Sequence, residues 1–171
     1  IYRGLVGSEM CIRDRCKLIG VNINFAPVVD INSNPKNPII NNRSFGEDVK
    51  NVSSLSLAYM QGLQDNNILA CAKHFPGHGD TDKDSHKTLP IINHSKYRLK
   101  KIELKPFEYL IENGLGSIMT AHLYIPSLDT TNKTPISLSK NVVTGLLTKE
   151  MGFNGLKSVS YTHLTLPTSV P

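Results

Sequence analysis

The sequence predicts an α/β chain built around a parallel sheet. Short apolar runs alternate with amphipathic stretches in the order strand, helix, strand, helix, strand, helix, the rhythm of βα units. Residues that carry chemistry fall just past the strand ends: Asp30, then Lys73 and His74, then His122. Both doubly wound sheets and (β/α)8 barrels keep their active sites there. No dinucleotide or phosphate fingerprint is present, since PGHGD has neither GxGxxG nor GxxxxGK spacing. A full barrel needs about 250 residues, so the 171 residues present make about half of one.

The elements follow in order. VNINFAPVVDI (21–31) starts with alternation and ends as a continuous apolar run, the pattern of a strand buried on both faces. NSNPKNPIINNRSFGED is dense in Asn, Pro and Gly and reads as a loop, longer than ordinary connections and so a pointer to function. Val49, Val52, Leu55, Tyr59 and Leu63 recur at helical steps, with Glu47 and Asp48 at the opening turn. ILACAKHF (68–75) is a second strand. A helix running to about Asn113 has Pro106 in its first turn and Gly114 as its stop. SIMTAHL (117–123) is a third strand. Ser139 caps a helix carrying Val142, Val143, Leu146, Leu147 and Met151, and GLKSV (155–159) opens a fourth strand.

Composition narrows the class. Hydrophobic residues make up 39% and charged residues 19%, a globular balance, and no apolar run approaches the roughly 18 residues of a membrane span. The net charge of +5 is concentrated in residues 1–17 and 96–105. Only Tyr97 accompanies the second cluster, so it reads as a solvated helix face and not a nucleic-acid footprint. Cys11, Cys16 and Cys71 have no metal-type spacing and imply no disulfide framework. Residues 1–15 and 158–171 break the rhythm of the chain and resemble translated adapter read-through (SEMCIRDR, SYTHLTLP). Neither has the sections of a signal peptide. The domain is therefore expected over 16–157.

Residues 73–90, KHFPGHGDTDKDSHKTLP, gather three His and three Asp in one aperiodic stretch. Asp84 and His86 are two apart, so in an extended segment they point the same way and the carboxylate can hold one imidazole nitrogen. Such pairing favours the imidazolium and suits a proton donor near neutral pH. Gly77 and Gly79 are candidate hinges, and Lys73 and His74 can donate to a polyhydroxylated ligand. A zinc site built from His74, His78, Asp84 and His86 is an alternative, weakened by the lack of an HExxH pair or a short doublet. Asp80, Asp82, Lys83 and Lys87 read as a solvated turn.

This stretch resembles the signature of the β-N-acetylhexosaminidase branch of glycoside hydrolase family 3. The likeness extends to NFAPVVDINSNPKNPIINNRSFGED, IMTAHL and SLSKNVVTGLLTKEMGFNGL, nearly everything between Gly20 and Leu156. It implies part of a (β/α)8 TIM-type barrel, roughly strands 3 to 5 and the start of strand 6. It also implies a retaining glycosidase that removes terminal β-linked N-acetylglucosamine, from an oligosaccharide or a peptidoglycan fragment, without metal or cofactor. Most glycosidases use two carboxylates. This branch takes His86 as acid/base and Asp84 as its partner, while Arg43, Lys73 and His74 correspond to sugar ligands and His78 lines the pocket. Asp30 and His122 match barrel-tip positions outside the site.

The departures carry weight too. The family's nucleophile is an Asp just after the strand that follows GFNGL, where this chain reads GLKSVSYTHL, and no acid follows Glu150. The expectation is an internal piece, inactive alone, with unpaired strand edges that make it prone to aggregate. A phosphorylase variant and a non-catalytic sugar-binding remnant remain as alternatives to the hydrolase.

Overall fold

The computed structural model describes residues 11–12, 14–81, 89–131 and 133–159. Among them four strands form one parallel sheet in chain order: β1 (Ile23–Asn24), β2 (Leu69–Phe75), β3 (Ser117–Thr120) and β4 (Leu156–Val159). Leu69 lies opposite Ile23, Ser117 opposite Cys71 and Leu156 opposite Ser117. Consecutive parallel neighbours joined by helices are the unit from which α/β barrels are made. A short helix over residues 14–18 (α1) precedes β1.

The expected first strand is shorter than its apolar run. The ladder breaks at Ala26–Pro27, where proline has no N–H to offer. The chain stays against β2 all the same: Pro27 O accepts from Lys73 N–H, and Val29 N–H donates to Lys73 O at 2.7 Å. This irregular pairing delivers Asp30 to the tip of β2.

Helix α2 (Val49–Gln64) begins where the Asp48 carboxylate accepts from Asn51 N–H at 2.8 Å, an N-cap. Its buried stripe is Val52, Ser56, Met60 and Leu63, rotated slightly from the expected one, with Leu55 and Tyr59 at its margin. The single helix expected before Gly114 is two, α3 (Lys96–Lys101) and α4 (Lys105–Glu112), with Pro106 in the first turn of α4. Met60, Leu63, Phe107 and Leu110 close over Ala70, Ala72 and Ile118 of the sheet. Phe107 meets Phe75 edge-on, ring centroids 5.2 Å apart.

Ser139 does cap the next helix, its hydroxyl accepting from Val142 N–H and donating to Asp129 Oδ2. The helix itself, Asn141–Glu150, is wound in the wider π form. Val142, Val143, Thr144 and Gly145 are weak α-helix formers, and Thr148 Oγ1 bonds back to Val143 O, five residues earlier, at 2.9 Å.

At the end of the sheet away from the strand tips, the Gln64 side chain clasps the turn before β3. Its Nε2 donates to Gly114 O and its Oε1 accepts from Gly116 N–H, both at 2.9 Å. No helix among the described residues is long and apolar enough to cross a membrane.

Candidate active site

The tips of the first two strands converge on one buried carboxylate. Asp30 is fully buried. Its Oδ2 accepts from His74 Nδ1–H at 2.8 Å, its Oδ1 accepts from His78 N–H at 2.7 Å, and the His74 N–H lies 3.2 Å from both oxygens. Burial by itself raises the Asp30 pKa. The charge and hydrogen bond of His74, with the His78 amide, outweigh it and hold the group below the ordinary carboxylate value. Asp30 is thus an anion with both oxygens engaged by three N–H donors. It fixes the His74 tautomer with hydrogen on Nδ1, leaving Nε2 without a partner among the described residues.

Lys73, the residue before, is half-buried, and the Lys73–His74 peptide bond is cis. Burial, then the positive charge of Arg43, lowers the Lys73 pKa. Arg43 ends the short 3-10 turn Asn41–Arg43 and donates from Nη1 to Ile39 O. Its charge also reaches His78, whose pKa is lowered chiefly by burial. The structure therefore brings together Arg43, Lys73, His74 and His78, four of the six residues singled out in the sequence. Asp84 and His86 lie outside the described residues.

The long loop after β1 is held in place by a residue that sequence reasoning passed over. Buried Asn37 donates from Nδ2 to His78 O at 2.7 Å and to Thr81 Oγ1 at 3.3 Å, while its Oδ1 accepts from the Ile39 and Ile40 amides. Thr81 Oγ1 in turn lies 2.7 Å from His78 Nδ1. His78 Nε2 is buried without a partner among the described residues. Ser44 adds a second tie, its hydroxyl donating to Asp30 O at 2.6 Å.

Gly79 is a candidate hinge in the sequence. Its actual constraint is space: a Cβ there would sit 1.7 Å from Ile31 O, so the turn can lie against the first strand only without a side chain. Gly77 does have the left-handed φ of +135° that favours glycine. Asp80 is not a solvated turn residue. Its Oδ2 accepts from His94 Nε2–H at 2.5 Å and from Arg98 Nη2 at 3.1 Å, and its side chain is 23% exposed. His122 stands apart, its Nδ1 2.7 Å from Ser137 Oγ.

The zinc alternative rested on four donors. Two of them are described, and it is their Nδ1 atoms that face Asp30 and Thr81, with ring centroids 6.1 Å apart. No three His, Cys, Asp or Glu converge on a common point among the described residues.

Comparison with known proteins agrees with this fold. The family model described as the Glycosyl hydrolase family 3 N terminal domain matches residues 8–160. Beta-hexosaminidase A of Pseudoalteromonas piscicida is 41% identical over 166 residues, 91% of this chain and 27% of its own length. The solved glycoside hydrolase family 3 beta-N-acetylglucosaminidase from Paenibacillus sp. superposes with a TM-score of 0.90 at 39% identity, over 94% of this chain and 30% of that one. NagZ from Neisseria gonorrhoeae, solved in complex with N-trifluoroacetyl-D-glucosamine, gives a TM-score of 0.84 at 30% identity, over 91% and 45%. The chain thus spans between about a quarter and just under half of the proteins named here. Those proteins carry the strand-tip architecture of a TIM-type barrel, and the four parallel strands described above are a section of it. With its match over residues 8–160, the chain belongs to glycosyl hydrolase family 3 as part of that family's N-terminal domain.

Proposed function

We propose that this chain is the sugar-binding and acid/base section of a retaining β-N-acetylhexosaminidase, which releases terminal β-linked N-acetylglucosamine from an oligosaccharide or a peptidoglycan fragment. The observation that carries the reading is the Asp30-anchored strand tip. It fixes His74, whose Nε2 has no partner among the described residues, next in the chain to Lys73, whose amine feels the Arg43 charge. Rigid donors at a strand tip suit the hydroxyl groups of one terminal sugar. The relatives named beta-hexosaminidase and the neighbour solved with an N-acylated glucosamine support the same substrate class.

In this reading His86, steered by Asp84, protonates the glycosidic oxygen as the bond to the anomeric carbon breaks. An acidic nucleophile takes that carbon, and His86 then removes a proton from the water that releases the sugar. His78 lines the pocket behind His74. No acid follows Glu150 in this sequence, so the nucleophile belongs to residues outside it, and the 171 residues alone are inactive and prone to aggregate.

The test is turnover of 4-nitrophenyl N-acetyl-β-glucosaminide by the full-length protein that contains this chain. Replacing His86 by Ala should lower kcat/KM by about 10²–10⁴. Undiminished turnover removes His86 from its role. Full activity in a chelator disposes of the zinc reading, and a requirement for phosphate turns the hydrolase into a phosphorylase. A full-length sequence with no acid after GFNGL favours the sugar-binding remnant.

A further inference from the structure

Beyond the sugar-binding tip, the structure contains a second cluster of charged side chains that the proposed chemistry does not use. Asp80 accepts from both His94 and Arg98. Arg98 Nη2 also reaches Glu103 Oε1 at 3.4 Å, and Glu103 is 3% exposed. Arg98 Nε and Glu103 Oε2 are buried without partners among the described residues. The cluster closes back on the turn: Gly77 packs so tightly on Glu103 that a Cβ would lie 2.9 Å from that side chain's Cβ. His94 is held in turn, its carbonyl accepting from Ser127 Oγ at 2.6 Å.

This is more than a surface ion pair needs. Exposed pairs contribute little, whereas a half-buried carboxylate shared by an imidazole and a guanidinium costs desolvation that only good geometry offsets. What the cluster does is fix one point of the chain. Asp80 is four residues before Asp84 and six before His86. On the other side Pro90 and Ile92 are bonded to Tyr124, through Tyr124 N–H to Pro90 O and Ile92 N–H to Tyr124 O. The entry to the residues between is therefore tied by side-chain charge to α3, and the exit by backbone to the chain after β3.

We infer that Asp80, with His94 and Arg98, is a positioning residue for the acid/base, setting where the chain departs toward His86. The inference rests on the reading of His86 as proton donor. It also predicts which reactions suffer when the anchor is lost. A leaving group that departs without protonation has no use for a well-placed acid, so its cleavage is insensitive to the anchor. A poor leaving group needs the acid and loses rate.

The experiment compares kcat/KM of the full-length protein on phenyl and on 2,4-dinitrophenyl N-acetyl-β-glucosaminide, for wild type, Asp80→Asn, His94→Gln and His86→Ala. Asp80→Asn keeps the shape of the side chain and His94→Gln keeps a donor, so at least one is expected to fold, with circular dichroism as the check. The expected result is a loss of about tenfold or more on the phenyl substrate and less than about threefold on the dinitrophenyl substrate, the same bias that His86→Ala shows more strongly. Equal losses on both substrates mean the cluster only stabilises the fold, and no loss on either means it positions nothing; both overturn the inference. If His86→Ala itself treats the two substrates alike, the acid/base reading falls and the inference falls with it, a failure distinguishable because it appears in the control variant.

Discussion

Asp30 holds His74 through two different groups of that residue, the ring Nδ1–H at 2.8 Å and the backbone N–H at 3.2 Å. One buried carboxylate therefore fixes both the position and the tautomer of the strand-tip imidazole, without any exposed atom of its own. Oδ1 of the same carboxylate accepts from the His78 amide, so the strand tip and the following turn share a single anchor.

Replacing Asp30 by Ala should consequently damage more than one contact. It leaves the ring N–H of His74 and the amide of His78 buried without an acceptor, a loss of about 3–5 kcal/mol. Urea denaturation of the full-length protein measures it. Asp30→Asn, which keeps one acceptor oxygen, should lose less stability yet still lower kcat/KM by misorienting His74.

The pH dependence of stability has a clear sign. His78 is neutral and buried, with a pKa lowered from 6.5, chiefly by burial. Its contribution is fully present above pH 6.5 and is lost as pH falls through the lower folded value, because the unfolded chain takes up the proton first. Asp30, lowered from 3.8, acts in the same direction further down, its contribution vanishing below the carboxylate range. Chemical denaturation between pH 7.5 and 4.5 should therefore show stability declining, with a shallower decline in His78→Gln. A variant with an unchanged slope would show that His78 does not supply this limb.

Gly79→Ala should be severe although its backbone needs no left-handed angle. The added Cβ would overlap Ile31 O, forcing the turn off the first strand and breaking the Asn37 bridge. A fall in melting temperature accompanied by loss of activity is expected, at about 3 kcal/mol or more of destabilisation. Gly145→Ala, where nothing lies closer than 4.0 Å, serves as the tolerated control.

Lys73→Met keeps the length of the side chain and removes its donor. Loss of a charged hydrogen bond to substrate is worth about 1.5–3 kcal/mol, so kcat/KM should fall by about 10- to 200-fold with little change in melting temperature. A variant equal to wild type would remove Lys73 from the sugar site.

The sequence made β2, its Lys73–His74 tip and the helix over Val49–Gln64 legible because periodicity and burial agree within a few residues. Lys73 and His74 were legible from their place at a strand tip, Arg43 and His78 only through the family resemblance; the structure sets the Arg43 charge within reach of Lys73 and His78. What escaped is what depends on partners far along the chain. Asn37 reaches His78 across 41 residues, and Asp80 reaches His94 and Arg98 across 14 and 18. In sequence both sit among turn formers and look like ordinary loop polarity. The π winding of Asn141–Glu150 escaped for a different reason, since the apolar spacing of Val142, Leu146 and Leu147 suits an α-helix equally well.

The clasp of Gln64 on Gly114 and Gly116 has a practical corollary. It rivets helix to sheet on the side of the molecule remote from the strand tips, so the toughness of this rim can be altered without touching Asp30 or His74. Substitutions sought for heat resistance can be concentrated on that remote rim, away from Asp30 and His74.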